Sequence, residues 1–184
     1  HYMDEINKLT GRNYQLFNYY GAPDAEEVIV IMCSGAETVR ETVDYLNKQG
    51  RKVGVVQVHL FRPFSVKHFA AAIPATCKKI AVLDRSKEVG SVGEPLYLDV
   101  CSALRQAGRT DIDVVGGRYG LGSKDFTPMD VMAVYANLHA DAPKNGFTVS
   151  IVDDVTHHSL PAFPEEFDST PEGNFSCKFW GLGS

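Results

Sequence analysis

The sequence predicts an α/β protein: a three-layer α/β/α open sheet, mostly parallel, with an antiparallel edge strand. Three observations carry this reading. Val28 to Cys33 reads VIVIMC, a continuous apolar run rich in β-branched residues, the pattern of a strand buried on both faces. Segments of helical spacing alternate with such runs, and that alternation calls for right-handed crossovers with helices on both faces of the sheet. Ile80 to Leu83 then breaks into a charged loop punctuated by Gly90 and Gly93, and the chain re-forms as a helix at Pro95. Such a loop belongs at the carboxyl end of a parallel strand, where open α/β sheets display their surface chemistry.

The elements follow in order. Tyr14 to Tyr20 mixes aromatic and polar residues, which suits an edge strand or a packed arm, and Gly21 to Asp24 turns the chain. Gly35 follows the first central strand, and Val39, Val43 and Leu46 recur at helical spacing until Gly50 caps the helix. Val53 to Leu60 is the next strand, ended by Arg62 and Pro63 ahead of a short helix from about Ser65 to Ala72. The strand Ile80 to Leu83 and the loop Asp84 to Glu94 lead into a helix through Leu96, Val100 and Leu104 to Gly108. Pro95 suits the first turn of that helix, where its missing N–H would have had no partner. A strand at Ile112 to Val115 precedes a second glycine-rich loop, Gly116 to Pro128, GGRYGLGSKDFTP. Thr127, Pro128 and Asp130 then open a helix reaching His139. Phe147 to Val152 either adds a further strand or leads out of the sheet.

With 184 residues the chain can bury one good core, assigned to residues 14–154. Residues 1–13 are read as a tag remnant and lead-in, with His1, Tyr2 and Met3 set aside from the fold. Residues 155–174 carry His157, His158, three prolines and several acids with no usable period, and are read as a linker. Residues 175–184, FSCKFWGLGS, read as the truncated start of a further domain. The net charge of -5 comes from 18 basic and 23 acidic residues that are scattered rather than clustered, which argues against nucleic acid as a partner. No apolar run approaches the width of a bilayer and no secretion signal opens the chain, so membrane partners are excluded and a cytoplasmic setting is expected. Cys33, Cys77, Cys101 and Cys177 lie far apart, without the spacing of a zinc or iron–sulfur cradle, and read as reduced thiols acting as small hydrophobes.

Four blocks carry a resemblance. DRSKEVGSVGEPLYLDV from Asp84, VGGRYGLGSKDFTP from Val115, FTVSIVDDVTHHSLP from Phe147 and CKFWGLGS from Cys177 resemble pyruvate:ferredoxin (flavodoxin) oxidoreductase, in that family's order. The resemblance implies a second domain similar in fold to the C-terminal domain of transketolase, followed by the opening of the third. It implies oxidative decarboxylation of pyruvate with coenzyme A to acetyl-CoA and carbon dioxide, by a homodimer that passes electrons through iron–sulfur clusters to ferredoxin or flavodoxin. Its cofactors would be thiamine diphosphate, magnesium and the clusters. None is placed on this segment: no Gly-Asp-Gly occurs, and the cysteines are dispersed. The segment alone is therefore expected to be inactive. Where the family loop reads Lys-Glu-Pro-Gly, this chain has Lys87, Glu88, Val89 and Gly90, so one torsion is left unfixed.

No catalytic, cofactor or metal residue is assigned. The charged set Arg85, Lys87, Glu88, Arg118 and Lys124 is read as an interdomain contact near the strand ends, facing other domains of the same chain; solvated loop charges are the plain alternative. Two other readings stand beside it. Ser34 and Gly35 join a strand to a helix and could belong to a free-standing nucleotide- or coenzyme-binding module, although G-x-G-x-x-G is missing. Cys33 at a strand end could be the nucleophile of a hydrolase, with His157 or His158 as base.

Overall fold

A computed structural model describes residues 2–152, 155–164, 173–175 and 177–181. Helix α1 (Tyr2–Thr10) precedes β1 (Phe17–Gly21), β2 (Glu27–Met32), α2 (Gly35–Lys48), β3 (Val53–Val58), α3 (Val66–Ala72), β4 (Lys79–Asp84) and α4 (Pro95–Gln106). Strand β5 (Asp113–Arg118), α5 (Pro128–His139) and β6 (Phe147–Thr148) complete the order among the described residues, with a 3₁₀ turn at Leu121–Ser123. The sheet runs β1-β3-β2-β4-β5-β6; β1 is antiparallel to β3 and every other pair is parallel.

Alternation along the strands builds two cores. In β2, Ile29 and Ile31 point to the face covered by α2 and α5, whereas Val28 and Val30 point to the face covered by α3 and α4. The first face is closed by Val39, Val43 and Leu46 of α2 and by Val134, Tyr135 and Leu138 of α5. The second is closed by Phe69 of α3 and by Leu96, Val100 and Leu104 of α4. Each fully buried Ile or Leu contributes about 1.5–3 kcal/mol relative to exposure, which is why the strands read as unbroken apolar runs. Tyr135 meets the cost of burying its hydroxyl by donating to Gly54 O at 2.8 Å.

The helix ends follow the sequence chemistry. Thr127 accepts from the Asp130 N–H while the Asp130 carboxylate accepts from the Thr127 N–H, a reciprocal cap for α5. Gly50 and Gly108 take positive φ just beyond α2 and α4. Differences from expectation have local reasons. Cys33 is not the last residue of β2; it sits in the turn after it, with φ of 62°. Gly116 and Gly117 belong to β5, not to a loop, because aromatic rings lie over them: a Cβ on Gly117 would stand 2.2 Å from the Phe147 ring, and one on Gly116 would stand 3.0 Å from Tyr97. Helix α1 includes Tyr2 and Met3, residues set aside in the sequence reading. Within 155–164, Ser159 bridges to Thr148 of β6, and Leu160 and Phe163 pack against the α2/α5 core. Of the C-terminal block 175–184, only 175 and 177–181 are among the described residues, so its role as the start of another domain lies outside what they show.

Candidate functional site at the carboxyl end of the sheet

The chain passes from β2 through α2 to β3 on one side and then places β4 on the other, so the strand order reverses between β2 and β4. The carboxyl ends on either side of that reversal are where open α/β folds put their chemistry. Here the loop after β4 is organised from within by two buried acids.

Asp84, 2% exposed, ends β4. Its Oδ1 accepts from the Leu96 N–H at 3.0 Å and its Oδ2 from the Tyr97 N–H at 3.1 Å, so the carboxylate takes up free donors in the first turn of α4. Pro95 stands at the start of that turn and needs no acceptor. Burial pushes the Asp84 carboxyl above its ordinary pKa, against the two N–H bonds that pull it down. Glu94, 4% exposed, accepts from Arg118 Nε at 2.6 Å, and Arg118 Nη1 also donates to Gly146 O at 3.2 Å. Tyr119 closes the crevice between β2 and β5: its N–H donates to Asp84 O and its hydroxyl donates to Met32 O at 3.1 Å. Gly35 is required beneath that ring, since a Cβ there would meet Tyr119 at 2.9 Å.

Of the five charged residues singled out in the sequence, four separate into two groups. Arg85 and Lys124 line a cavity of about 300 Å³ with Ser34 and Gly35. Lys87 and Arg118 line a cleft of about 670 Å³ with Leu121, Ile151 and Val152. Glu88 lines neither and is exposed on the loop. Arg118 is committed to Glu94, which sequence reasoning did not show; the signal available was an acid immediately before the helix-opening Pro95. The rim carries another feature that reasoning from charge passed over: Val89 and Val92 are 91% and 93% exposed, and Val152 is also exposed.

The two other readings meet specific obstacles. Cys33 follows β2 while His158 is bonded to Gly146 O beside β6, three strand positions away, or about 14 Å at ordinary sheet spacing. No hydrogen-bonded dyad forms across that gap. At Ser34 the Tyr119 ring forms one wall of the roughly 300 Å³ cavity, and the G-x-G-x-x-G turn that would cradle a dinucleotide is missing from the sequence. Cys77 is buried and its thiol is pushed up to about 12, mainly by desolvation; Cys101 shifts in the same direction for the same reason. Among the described residues, no three His, Cys, Asp or Glu side chains come together as metal ligands, and no helix is long and apolar enough to cross a membrane.

The profile of the family described as "Pyruvate:ferredoxin oxidoreductase core domain II" matches residues 25–131, the stretch from just before β2 into α5. The chain belongs to this family. It is 59% identical over 182 residues to the pyruvate:ferredoxin oxidoreductase of Moorella thermoacetica, which covers 99% of this chain and 15% of that protein. It is 56% identical over 183 residues to the pyruvate-flavodoxin oxidoreductase of Enterobacter agglomerans, with 100% and 16% covered. The mitochondrial pyruvate dehydrogenase [NADP(+)] of Euglena gracilis is also 56% identical, with 99% of this chain and 10% of that protein covered. A solved 2-oxoglutarate:ferredoxin oxidoreductase from Magnetococcus marinus is 26% identical, covers 72% of this chain and 21% of that chain, and gives a TM-score of 0.46. The chain thus spans about one-sixth of the length of the curated relatives it matches most fully, and within the family it is a domain-sized piece.

Proposed function

We propose that this chain serves as a non-catalytic structural and interdomain element of a thiamine-diphosphate- and iron–sulfur-dependent pyruvate:ferredoxin or pyruvate:flavodoxin oxidoreductase. The whole enzyme would convert pyruvate and coenzyme A to acetyl-CoA and carbon dioxide, as a homodimer in the cytoplasm, with ferredoxin or flavodoxin as electron acceptor. The residues present do not fit a diphosphate–magnesium site. Asp84 and Glu94, the buried acids at the strand ends, are engaged by backbone N–H groups and by Arg118, and no Gly-Asp-Gly occurs. No chemical step is therefore assigned to these residues, and the 184-residue chain is expected to be inactive by itself.

The single observation that carries this reading is the contrast between the inside and the outside of the β4–α4 loop. Its acids are buried and satisfied, whereas Val89 and Val92 at its rim are almost fully exposed. Exposed apolar side chains on a loop that is held firmly from beneath suit burial against another domain of the same polypeptide. Arg85, Lys87, Glu88 and Lys124 would flank the contact, and Arg118 would support it from below through Glu94.

Val89→Asp with Val92→Asp tests this in the full-length polypeptide. Turnover or dimer stability should fall by about tenfold or more, while the 184-residue chain carrying the same changes should keep its melting temperature. Full-length enzyme with unchanged turnover and dimer stability would sink the reading. Removing the Arg85 and Lys87 charges should have the same sign and a smaller effect.

A further inference from the structure

At the β1 edge of the sheet, away from the β4–α4 loop, segment 12–14, the start of α2 and the end of β3 enclose a cleft of about 660 Å³. This size suits a small ligand. Its polar lining comes from four parts of the chain: Arg12, Asn18 of β1, Glu37 and Arg40 of α2, and Gln57 and His59 at the end of β3. Asn18 and Gln57 face each other directly across the antiparallel β1–β3 pair. The wall at segment 12–14 is fixed in place: the Tyr14 ring meets the His59 ring edge-on at 5.4 Å, and Asn7 of α1 exchanges two hydrogen bonds with the Tyr14 backbone.

The charge of this lining is positive. Arg12 and Arg40 contribute two guanidinium groups, and Glu37 is the one acid among the lining residues. Glu37 reaches Arg40 Nη1 at 3.5 Å but is itself 68% exposed, which leaves it a weak neutraliser. Arg40 Nε is shielded from water and has no hydrogen-bond partner, a donor left without an acceptor. The field is felt nearby: His59 is held below its ordinary pKa first by burial and then by the Arg40 cation. Arg12 donates to the Tyr14 hydroxyl and Arg40 lies over the Tyr20 ring at 4.9 Å, and a planar guanidinium with further N–H donors is the group that pairs best with a carboxylate.

We infer that this cleft is a carboxylate-binding site, with Arg12 and Arg40 closing on the ligand oxygens and Gln57 contributing its amide. The carboxylate belongs either to a small organic acid or to an Asp or Glu of the longer polypeptide, and the chemistry of recognition is the same for both. This goes beyond the structural role proposed above and does not depend on it.

The test follows the His59 ring by NMR while citrate is titrated into the 184-residue chain at constant ionic strength, with chloride as the matched control. A seated carboxylate should give a saturable shift and raise the His59 pKa from its depressed value. Arg12→Gln and Arg40→Gln should each weaken the response about tenfold while leaving the backbone spectrum of the sheet unchanged. No saturable change, the same change with chloride, or an undiminished response in both variants would overturn the site. The same readout in the full-length polypeptide identifies the source. A response to citrate there means a small organic acid. No response with the His59 pKa already raised means a carboxylate of the polypeptide itself. No response with the pKa still depressed counts against the site.

Discussion

The Glu94–Arg118 pair and the Glu37–Arg40 pair both lie toward the carboxyl ends of the parallel strands, yet the first is far more buried than the second. Glu94 and Arg118 meet at 2.6 Å with side chains 5% and 19% exposed; Glu37 and Arg40 stand at 3.5 Å, at 68% and 33%. In the first pair Glu94 has lost nearly all its water and depends on Arg118, so the pair fastens the β4–α4 loop to β5. In the open pair water still screens Glu37, and the arginine keeps a donor without a partner. The same two residue types therefore act as a structural clasp in one place and as a recognition surface in the other, and burial decides which.

The largest expected effect tests the clasp. Arg118→Ala leaves the Glu94 carboxylate buried without its cation and should lower stability by about 3 kcal/mol in urea denaturation. A loss below about 1 kcal/mol would place the pair in the same class as Glu37–Arg40 and erase the contrast.

Next comes Asp84, whose raised pKa has a definite sign. The folded chain holds that proton to higher pH than the unfolded chain does, so the favourable contribution is complete below the ordinary carboxylate pKa of about 3.9 and is lost as pH rises through the folded value. Exposed acids with lowered pKa, such as Asp111 beside Arg109, act in the opposite direction, so the measurement is a difference. Asp84→Asn keeps one acceptor oxygen and turns its NH2 toward the other N–H, so one of the bonds to Leu96 and Tyr97 is lost at a cost of about 1–3 kcal/mol. Relative to the parent, the variant's urea midpoint should lack the downward contribution that Asp84 makes as pH rises above about 4. Equal pH slopes in the two proteins would show that Asp84 is not the group responsible.

The smallest effect sharpens the other side. Glu37→Gln should leave stability within about 0.5 kcal/mol while strengthening citrate binding at the cleft, because it removes the acid that competes for Arg40. A large loss of stability would mean that this pair, too, is structural.

Much of the architecture was legible because buried parallel strands have to be apolar along their whole length, as in Val28–Met32, and because Pro95, Thr127 and Asp130 announce helix starts by simple backbone chemistry. What escaped depends on partners distant in sequence. Gly116 and Gly117 read as loop residues because glycine usually marks turns, whereas the rings of Tyr97 and Phe147 are the reason for them. Arg118 looked available for contact because nothing near it in the chain reveals Glu94, 24 residues earlier. Arg12, Arg40 and His59 form no motif at all; the antiparallel seating of β1 on β3 and the packing of α2 against both bring their segments together.

The bridge between Thr148 and Ser159 also bears on how the molecule keeps to itself. Strand β6 is two residues long, and its outward-facing groups are already engaged: Thr148 N donates to His158 O, and Leu160 N donates to Thr148 O. A neighbouring molecule seeking to extend the sheet there finds no vacant ladder, so the returning stretch works as a guard against intermolecular strand addition. Variants that loosen 158–160 should reopen that edge, with association that grows with concentration as the outcome to be measured.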